Sequence, residues 1–365
     1  MKILFCCGGT FGHIAPALAT AEAMREKAPN VEILFAGREG GAENDTVRRE
    51  GYSVYEIPVQ SIQRKISAKS IGALFKMLGS YREARRILQE IRPSIVFGTG
   101  GYVCFPVLRA AQRMGIPTVL HESNRTPGRA CRILAPKCQK LLLGMRDCAS
   151  ALPRSVKCEF TGNPVRQEFF RYTKEKARRI LGIPPSAKFL LSFGGSGGAQ
   201  KINDAMLSFM TKKDARKDAI FHVHAVGKKY YEEAARHYPA LTARHSRCRI
   251  YPYIENMPLY MRAADLCICR SGAMTLAELA AAEAPAILIP SPNVTDNHQY
   301  KNALALAELG GALLLEEKNI ALLEEKILCT IEDDGCLTSM RSALAREFEK
   351  NSAEHIAKSI LSVLP

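Results

Sequence analysis

The 365-residue sequence has no tryptophan and only 7% aromatic residues. No aromatic stacking platform or nucleic-acid-binding motif accompanies its basic segment, which makes nucleic acid a less attractive partner. No stretch approaches the roughly 20 continuous apolar residues of a spanning helix. The apolar start, Met1 to Cys7, has no basic segment before it and runs straight into Gly8-Gly9, so it reads as a first strand and not a signal peptide. Twelve cysteines are present but never in C-x-x-C spacing. They read as reduced core thiols of a cytosolic protein rather than a disulfide or zinc framework. No Asp-x-Asp pair and no His/Cys cluster occurs, so nothing argues for a dedicated metal site. Neither G-x-x-x-x-G-K-[ST] nor a well-placed G-x-G-x-x-G is found, which removes support from ATPase and dehydrogenase readings.

What is present is a basic, two-domain α/β pattern. Lys and Arg outnumber Asp and Glu by 51 to 36, for a net charge of +15, which favours a polyanionic partner such as nucleic acid, a phosphorylated substrate or anionic lipid, without choosing among them. The length exceeds what one hydrophobic core usually organises. Short apolar runs alternate with helical patterns: Lys2 to Cys7 then Ala15 to Lys27, Ser94 to Phe97 then Phe105 to Met114, Phe189 to Phe193 then Ala199 to Thr211. Such alternation implies βαβ units and parallel sheets covered on both faces. A glycine-rich strand-to-helix loop occurs twice, at Gly8-Gly9-Thr10-Phe11-Gly12 and at Gly194-Gly195-Ser196-Gly197-Gly198, about half the chain apart. Each is expected to open its own Rossmann-like domain, with a ligand cleft between the two. The expected bounds are 1–162 and 163–340, with a hinge near Thr161-Gly162-Asn163-Pro164. A final helix of about 341–365 is open to either domain, including packing back on the first.

Several residues stand where chemistry is done. Glycine loops at helix starts bring backbone N–H groups together for phosphate, although a tight turn without a ligand has the same sequence. The helix start Arg270-Ser271-Gly272-Ala273-Met274-Thr275-Leu276-Ala277-Glu278 follows the apolar strand Leu266 to Cys269. There Glu278 either accepts both hydroxyls of a ribose or complements the helix dipole. Asp296-Asn297-His298-Gln299-Tyr300 lies on a loop beyond a strand end, suited to sugar hydroxyls or to a solvated turn. His121-Glu122-Ser123-Asn124 holds the same topological place in the first domain. His13 follows the first glycine loop, as a general base for an attacking hydroxyl or as a cap or packing residue. Segment 61–92 carries Arg64, Lys65, Lys69, Lys76, Arg82, Arg85, Arg86 and Arg92 against Glu83 and Glu90. Within it Ile71, Leu74, Phe75 and Leu78 keep helical spacing, giving a membrane-facing stripe flanked by cations or an ordinary core-facing helix.

Seven motifs together resemble the MurG glycosyltransferase family in order and spacing over nearly the whole chain. They are Gly8 to His13, Gly100-Gly101-Tyr102, His121 to Asn124, Gly162-Asn163-Pro164-Val165-Arg166, Gly194-Gly195-Ser196, Arg270-Ser271-Gly272-Ala273 and Asp296 to Tyr300. The resemblance implies a GT-B fold, two Rossmann-like domains with parallel sheets facing across a cleft. It implies transfer of N-acetylglucosamine from UDP-N-acetylglucosamine to undecaprenyl-pyrophosphoryl-N-acetylmuramyl-pentapeptide (lipid I), with inversion, to give lipid II in peptidoglycan synthesis. Donor contacts carried over are Thr10, Phe11, Gly12, Asn124, Arg166, Ser196, Ile254, Ala273, Met274, Thr275, Leu276, Ala277, Glu278 and Gln299. Ile254 would meet the uracil, Glu278 the ribose, Ser196 the diphosphate and Gln299 the sugar. His13 is the candidate base, and Glu122 belongs to the acceptor side. No cofactor is required, Mg²⁺ being at most stimulatory. The expected location is the cytoplasmic face of the bacterial inner membrane, peripheral, beside other proteins of cell-wall synthesis. The sequence departs from the family at Phe11 (usually Gly), Ser123 (usually Gln) and Gly197 (often Gln); the bulk of Phe11 bears on acceptor geometry more than on donor identity. Rival readings are a UDP-N-acetylglucosamine 2-epimerase and a non-catalytic UDP-sugar-binding protein.

Overall fold

A computed structural model describes residues 1–9, 11–41, 43–59, 69–212, 219–242 and 247–364; the side chains of 11, 69–77 and 347 lie outside the description. The chain forms two compact units, Met1–Arg166 with Glu349–Pro365, and Gln167–Phe348. Each is a parallel sheet with helices on its faces.

The first unit has strands β1 (Lys2–Cys6), β2 (Glu32–Arg38), β3 (Ser53–Ile57), β4 (Ile95–Gly98), β5 (Thr118–Glu122), β6 (Lys140–Leu143) and β7 (Cys158–Phe160), in the order β3-β2-β1-β4-β5-β6-β7. Strand residues are buried alternately toward the two faces, as a sheet covered on both sides requires. Leu4, Cys6, Val96 and Leu120 meet Ile87, Leu88, Val107 and Leu108 of the helices Lys69–Ile91 and Cys104–Arg113. Ile3, Phe5, Phe35 and Phe97 meet Ala17, Leu18 and Met24 of the helix Phe11–Lys27, and Ile356, Ala357 and Ile360 of the helix Ser352–Leu361. Phe5 packs between Phe35 and Phe97 with ring centroids 5.3 and 5.2 Å away. Strand order reverses between β1 and β4, so the loops after these two strands flank the position where parallel sheets bind ligands.

The second unit has β8 (Lys188–Phe193), β9 (Ile220–Ala225), β10 (Cys248–Tyr251), β11 (Leu266–Cys269), β12 (Ala286–Leu288) and β13 (Ala312–Leu314), in the order β10-β9-β8-β11-β12-β13. Its switch point lies between β8 and β11. At the amino end of β11, Asp265 accepts from Lys174 Nζ (2.5 Å), Arg178 Nη1 (2.9 Å), Arg341 Nη2 (3.2 Å) and the Phe189 amide (2.8 Å). Burial opposes ionisation there, but Lys174, the Phe189 amide and Arg178 hold this carboxyl below its ordinary range.

The single terminal helix expected over 341–365 is a correction: two helices occupy that stretch. Asp334–Glu347 belongs to the second unit, and Ser352–Leu361 to the first. The break has local causes. Phe348 is extended, its ring 5.7 Å from that of Phe170. Ser352 Oγ donates to the Glu349 carbonyl at 2.6 Å, turning the chain into the next helix. All twelve cysteines are free thiols, seven of them buried. No helix among the described residues is long and apolar enough to cross a membrane.

Candidate active site

In the first unit, the loops after β1 and β4 interlock. Gly101 has φ +87°, and a Cβ there would collide with the Gly8 carbonyl oxygen; only glycine permits so close an approach in the left-handed region. The half-exposed ring of Tyr102 lies against Gly9. His13 stands between the loops. Its Nδ1 is 3.1 Å from the Thr99 carbonyl oxygen, and Thr99 Oγ1 donates back to the His13 carbonyl. A carbonyl only accepts, so Nδ1 carries the proton and the basic lone pair is on Nε2, as a general base needs. Thr10 lies outside the described residues, as does the side chain of Phe11, whose backbone opens the helix; Gly12 is exposed in its first turn.

Glu43 is a residue that sequence reasoning missed. Its Oε1 accepts from the Gly9 amide at 2.8 Å, and Arg38 Nε is 3.7 Å from the same oxygen. The glycine loop expected to cradle a phosphate thus already holds a carboxylate at one N–H.

At the carboxyl end of β5, within the strand, His121 is buried, its Nε2 donating to the Gly162 carbonyl at 3.1 Å. Burial pushes its pKa down to about 4 against the raising effect of that bond, so it is neutral at pH 7. Glu122 Oε1 accepts from the Asn124 amide (3.0 Å) and Asn124 Nδ2 (2.9 Å), and its Oε2 from the Gly128 amide (2.9 Å). Glu122 thereby shapes the loop that presents half-buried Asn124. Asn163 Nδ2 donates to the Ser123 carbonyl at 3.0 Å, tying this loop to the segment that ends in the half-buried Arg166.

In the second unit, the candidate residues also follow strand ends. After β8 the Gly198 amide donates to the Gly195 carbonyl at 3.0 Å, forming a turn with Ser196 exposed at its tip. Gly198 has φ +73° and would strike the Val226 carbonyl if it carried a Cβ. After β11, Gly272 is extended and the helix Ala273–Ala281 begins with no side-chain cap among the described residues. The first intrahelical bond runs from the Leu276 amide to the Gly272 carbonyl. The N–H groups of Ala273, Met274 and Thr275 therefore form the positive end of the helix dipole. Ala273, Met274 and Leu276 are buried, whereas Thr275, Ala277 and Glu278 are half-buried. Ile254, after β10, is buried. Gln299 Oε1 accepts from the Ser291 amide at 2.9 Å, and Ser271 Oγ donates to the Gln299 carbonyl at 2.8 Å.

The structure thus divides the expected donor set. Phe11, Gly12, Asn124 and Arg166 fall in the first unit; Ser196, Ile254, Ala273 to Glu278 and Gln299 fall in the second. For the basic-apolar segment, Arg64 and Lys65 lie outside the described residues, as do the side chains of Lys69, Ile71, Leu74, Phe75 and Lys76. The described part of that helix buries Ala84, Ile87, Leu88 and Ile91, while Leu78, Arg82 and Arg85 are exposed.

Known proteins sharpen this picture. The glycosyltransferase family 28 N-terminal domain matches residues 3–143, and the family 28 C-terminal domain matches residues 189–356. The UDP-N-acetylglucosamine–N-acetylmuramyl-(pentapeptide) pyrophosphoryl-undecaprenol N-acetylglucosamine transferase of Thermoanaerobacter sp. (strain X514) is 37% identical over 366 residues, covering 100% of both chains. The crystal structure of Acinetobacter baumannii MurG is similar with a TM-score of 0.74 at 26% identity, over 99% of this chain and 100% of that one. The UDP-GlcNAc 2-epimerase of Neisseria meningitidis shares the fold alone, with a TM-score of 0.68 at 13% identity over 99% and 100% of the two chains. With both domain matches and full-length relatives above a third identical, the chain belongs to the MurG family of GT-B N-acetylglucosaminyltransferases.

Proposed function

We propose that this chain moves N-acetylglucosamine from UDP-N-acetylglucosamine to lipid I, forming lipid II. The observation that carries the reading is the start of the helix Ala273–Ala281 at the switch point of the second sheet, without a side-chain cap among the described residues and with Glu278 half-buried. Three N–H groups at a helix end stabilise the charge that grows on a departing diphosphate. The Ser196 turn and Arg166 add donors. Glu278 accepts from the ribose hydroxyls, Ile254 meets the uracil and Gln299 meets the sugar. The acceptor hydroxyl oxygen attacks the anomeric carbon as its bond to UDP breaks. UDP leaves with the electron pair, the configuration inverts, and the hydroxyl proton passes to His13 Nε2. Glu122 acts through Asn124, by holding its loop.

Helix ends and Arg166 do here what a metal does elsewhere, so turnover should survive a chelator. Mg²⁺ binding to the free UDP-sugar is compatible with modest stimulation. Complete, metal-reversible loss of activity in EDTA would overturn the metal-independent part of the proposal. Reaction with an acceptor on a polyprenyl chain takes place at a membrane surface, and we assign peripheral attachment at the cytoplasmic face of the inner membrane, among other wall-synthesis proteins, to the basic helix Lys69–Ile91. Support comes from helical phase. Leu78, Arg82 and Arg85 share one face, opposite the face of Ala84, Ile87 and Ile91 that enters the core. By sequence spacing, positions 71, 74 and 75 continue the face of Leu78.

The test is incubation with labelled UDP-N-acetylglucosamine and a short-chain lipid I analogue. Label in a disaccharide product is the expected result. Acceptor-independent epimerisation at C2 would support the epimerase reading, and binding without turnover the non-catalytic one.

A further inference from the structure

Arg270 directly follows β11, and the donor contacts that the family implies for this segment begin three residues later. Its guanidinium is largely buried, with the side chain 15% exposed. Nη1 donates to the carbonyls of Ile289 and Pro290, at 3.1 Å each, and Nη2 donates to Glu317 Oε2. Glu317 follows β13, and its side chain is 17% exposed. One cation thus joins the carboxyl ends of three adjacent strands, β11, β12 and β13. The rigid fork of a guanidinium can hold two carbonyls and a carboxylate together, which an ammonium cannot reproduce.

Holding the last carbonyls of β12 fixes the direction in which the chain leaves that strand. The next residue is Ser291, whose amide meets Gln299 Oε1. Because the Ser291 N–H is a donor, the Gln299 atom facing it is the oxygen, and the amide NH₂ is directed elsewhere as a donor. Ser271 Oγ, one residue after Arg270, holds the Gln299 carbonyl. Between Ser291 and Gln299, Asp296 and Asn297 adopt φ of +54° and +50°. Two successive non-glycine residues in the left-handed region persist only where their surroundings dictate the backbone.

We infer that Arg270 and Glu317 are a positioning pair for recognition of the donor sugar. Through the Ile289 and Pro290 carbonyls they set the loop after β12, so that the Gln299 amide presents its NH₂ to a sugar hydroxyl oxygen. They do so without touching the nucleotide diphosphate. The inference rests on the reading of Gln299 as the sugar contact and extends it to residues further back.

The experiment uses the full chain and the variants Glu317→Gln, Arg270→Lys, Gln299→Ala, and Glu317→Gln combined with Gln299→Ala. Two quantities are measured: kcat/KM with UDP-N-acetylglucosamine and with its C4 epimer UDP-N-acetylgalactosamine, and the Kd of UDP alone. Glu317→Gln and Arg270→Lys should each lower kcat/KM for the natural donor about tenfold, the size of one hydrogen bond to a charged group. They should narrow the preference over the epimer and leave the UDP Kd within about twofold, since UDP is held by the helix that starts at Ala273. Adding Glu317→Gln to Gln299→Ala should narrow the preference no further. A parallel loss of UDP affinity in both single variants overturns the inference, because the pair would then serve the diphosphate or the whole unit. Multiplying effects in the double variant overturn it as well. Failure of the underlying reading shows separately, as an unchanged sugar preference in Gln299→Ala alone. Should Arg270→Lys fail to fold, the near-isosteric Glu317→Gln carries the test.

Discussion

Single residues set what each loop can bind. Glu278 is half-buried in its helix, so on the proposed reading of it as the ribose partner Glu278→Ala should delete a charge-assisted contact without opening the core. Donor KM should rise by the equivalent of about 1.5–3 kcal/mol with the melting temperature unchanged; an unaltered donor KM takes Glu278 out of the site. Glu43 gives the opposite expectation. If the acceptor's diphosphate approaches Gly8–Gly12, the carboxylate seated on the Gly9 amide repels it. Glu43→Gln keeps an oxygen for that N–H and deletes the charge, so acceptor KM should fall at least about fivefold, the weight of one Coulomb contact at about 4 Å in water. A higher acceptor KM would mean instead that Glu43 serves the acceptor directly. Glu278 could be named as a candidate from sequence, because a carboxylate early in a helix after an apolar strand has a local signature. Glu43 was invisible, since its partner is 34 residues away. The pairing of Arg270 with Glu317, 47 residues apart, was hidden for the same reason.

At the scale of strands and helices, β8 and β9 bury a polar network. Ser192 Oγ lies 2.7 Å from His222 Nε2 and 2.8 Å from His224 Nδ1, while His224 Nε2 meets Asn203 Oδ1 at 3.2 Å. Both imidazoles are fully buried, which pushes His224 down to about 4 and His222 well below its ordinary value. In the unfolded chain each takes up a proton near pH 6.5. Between pH 6.5 and about 4 the unfolded state therefore binds more protons than the folded one. The stability these residues contribute is complete above pH 6.5 and is lost as pH falls toward 4. Melting temperatures measured from pH 7.5 to 5 should drop steeply, and less steeply in His224→Asn; equal slopes would show that other groups govern acid unfolding. Strand and helix types were legible here because β-branched runs, glycines and helical periods are local. The break between Glu347 and Ser352 was not, because the Phe348 contact and the ion pair of Arg341 with Asp265 depend on residues far back in the chain.

For the whole molecule, the charge of +15 and the face carrying Leu78, Arg82 and Arg85 set the expectation for membrane attachment. Each basic residue near an anionic surface contributes roughly 1 kcal/mol that salt screens, whereas an inserted apolar stripe resists salt. Vesicle flotation should rise with anionic lipid fraction and fall with salt. It should drop sharply in a Leu74→Glu, Phe75→Glu variant that still turns over a soluble acceptor. If that variant floats like the parent, the membrane face lies elsewhere. The presence of two similar halves was legible because the glycine loops repeat at half the chain length. The return of the chain to the first unit was not, since the amphipathic pattern of Ser352–Leu361 suits either sheet equally.

That return has a consequence for biogenesis. The helix Ser352–Leu361 supplies Ile356, Ala357 and Ile360 to the sheet face of Ile3, Phe5 and Phe97, yet it leaves the ribosome after the whole of Gln167–Phe348. During synthesis the first unit waits with an open apolar face while the second, continuous in sequence, can finish folding. The nascent first half thus keeps that face uncovered until Ser352–Leu361 has been made, and docking of this helix is the expected closing step of the first unit's folding.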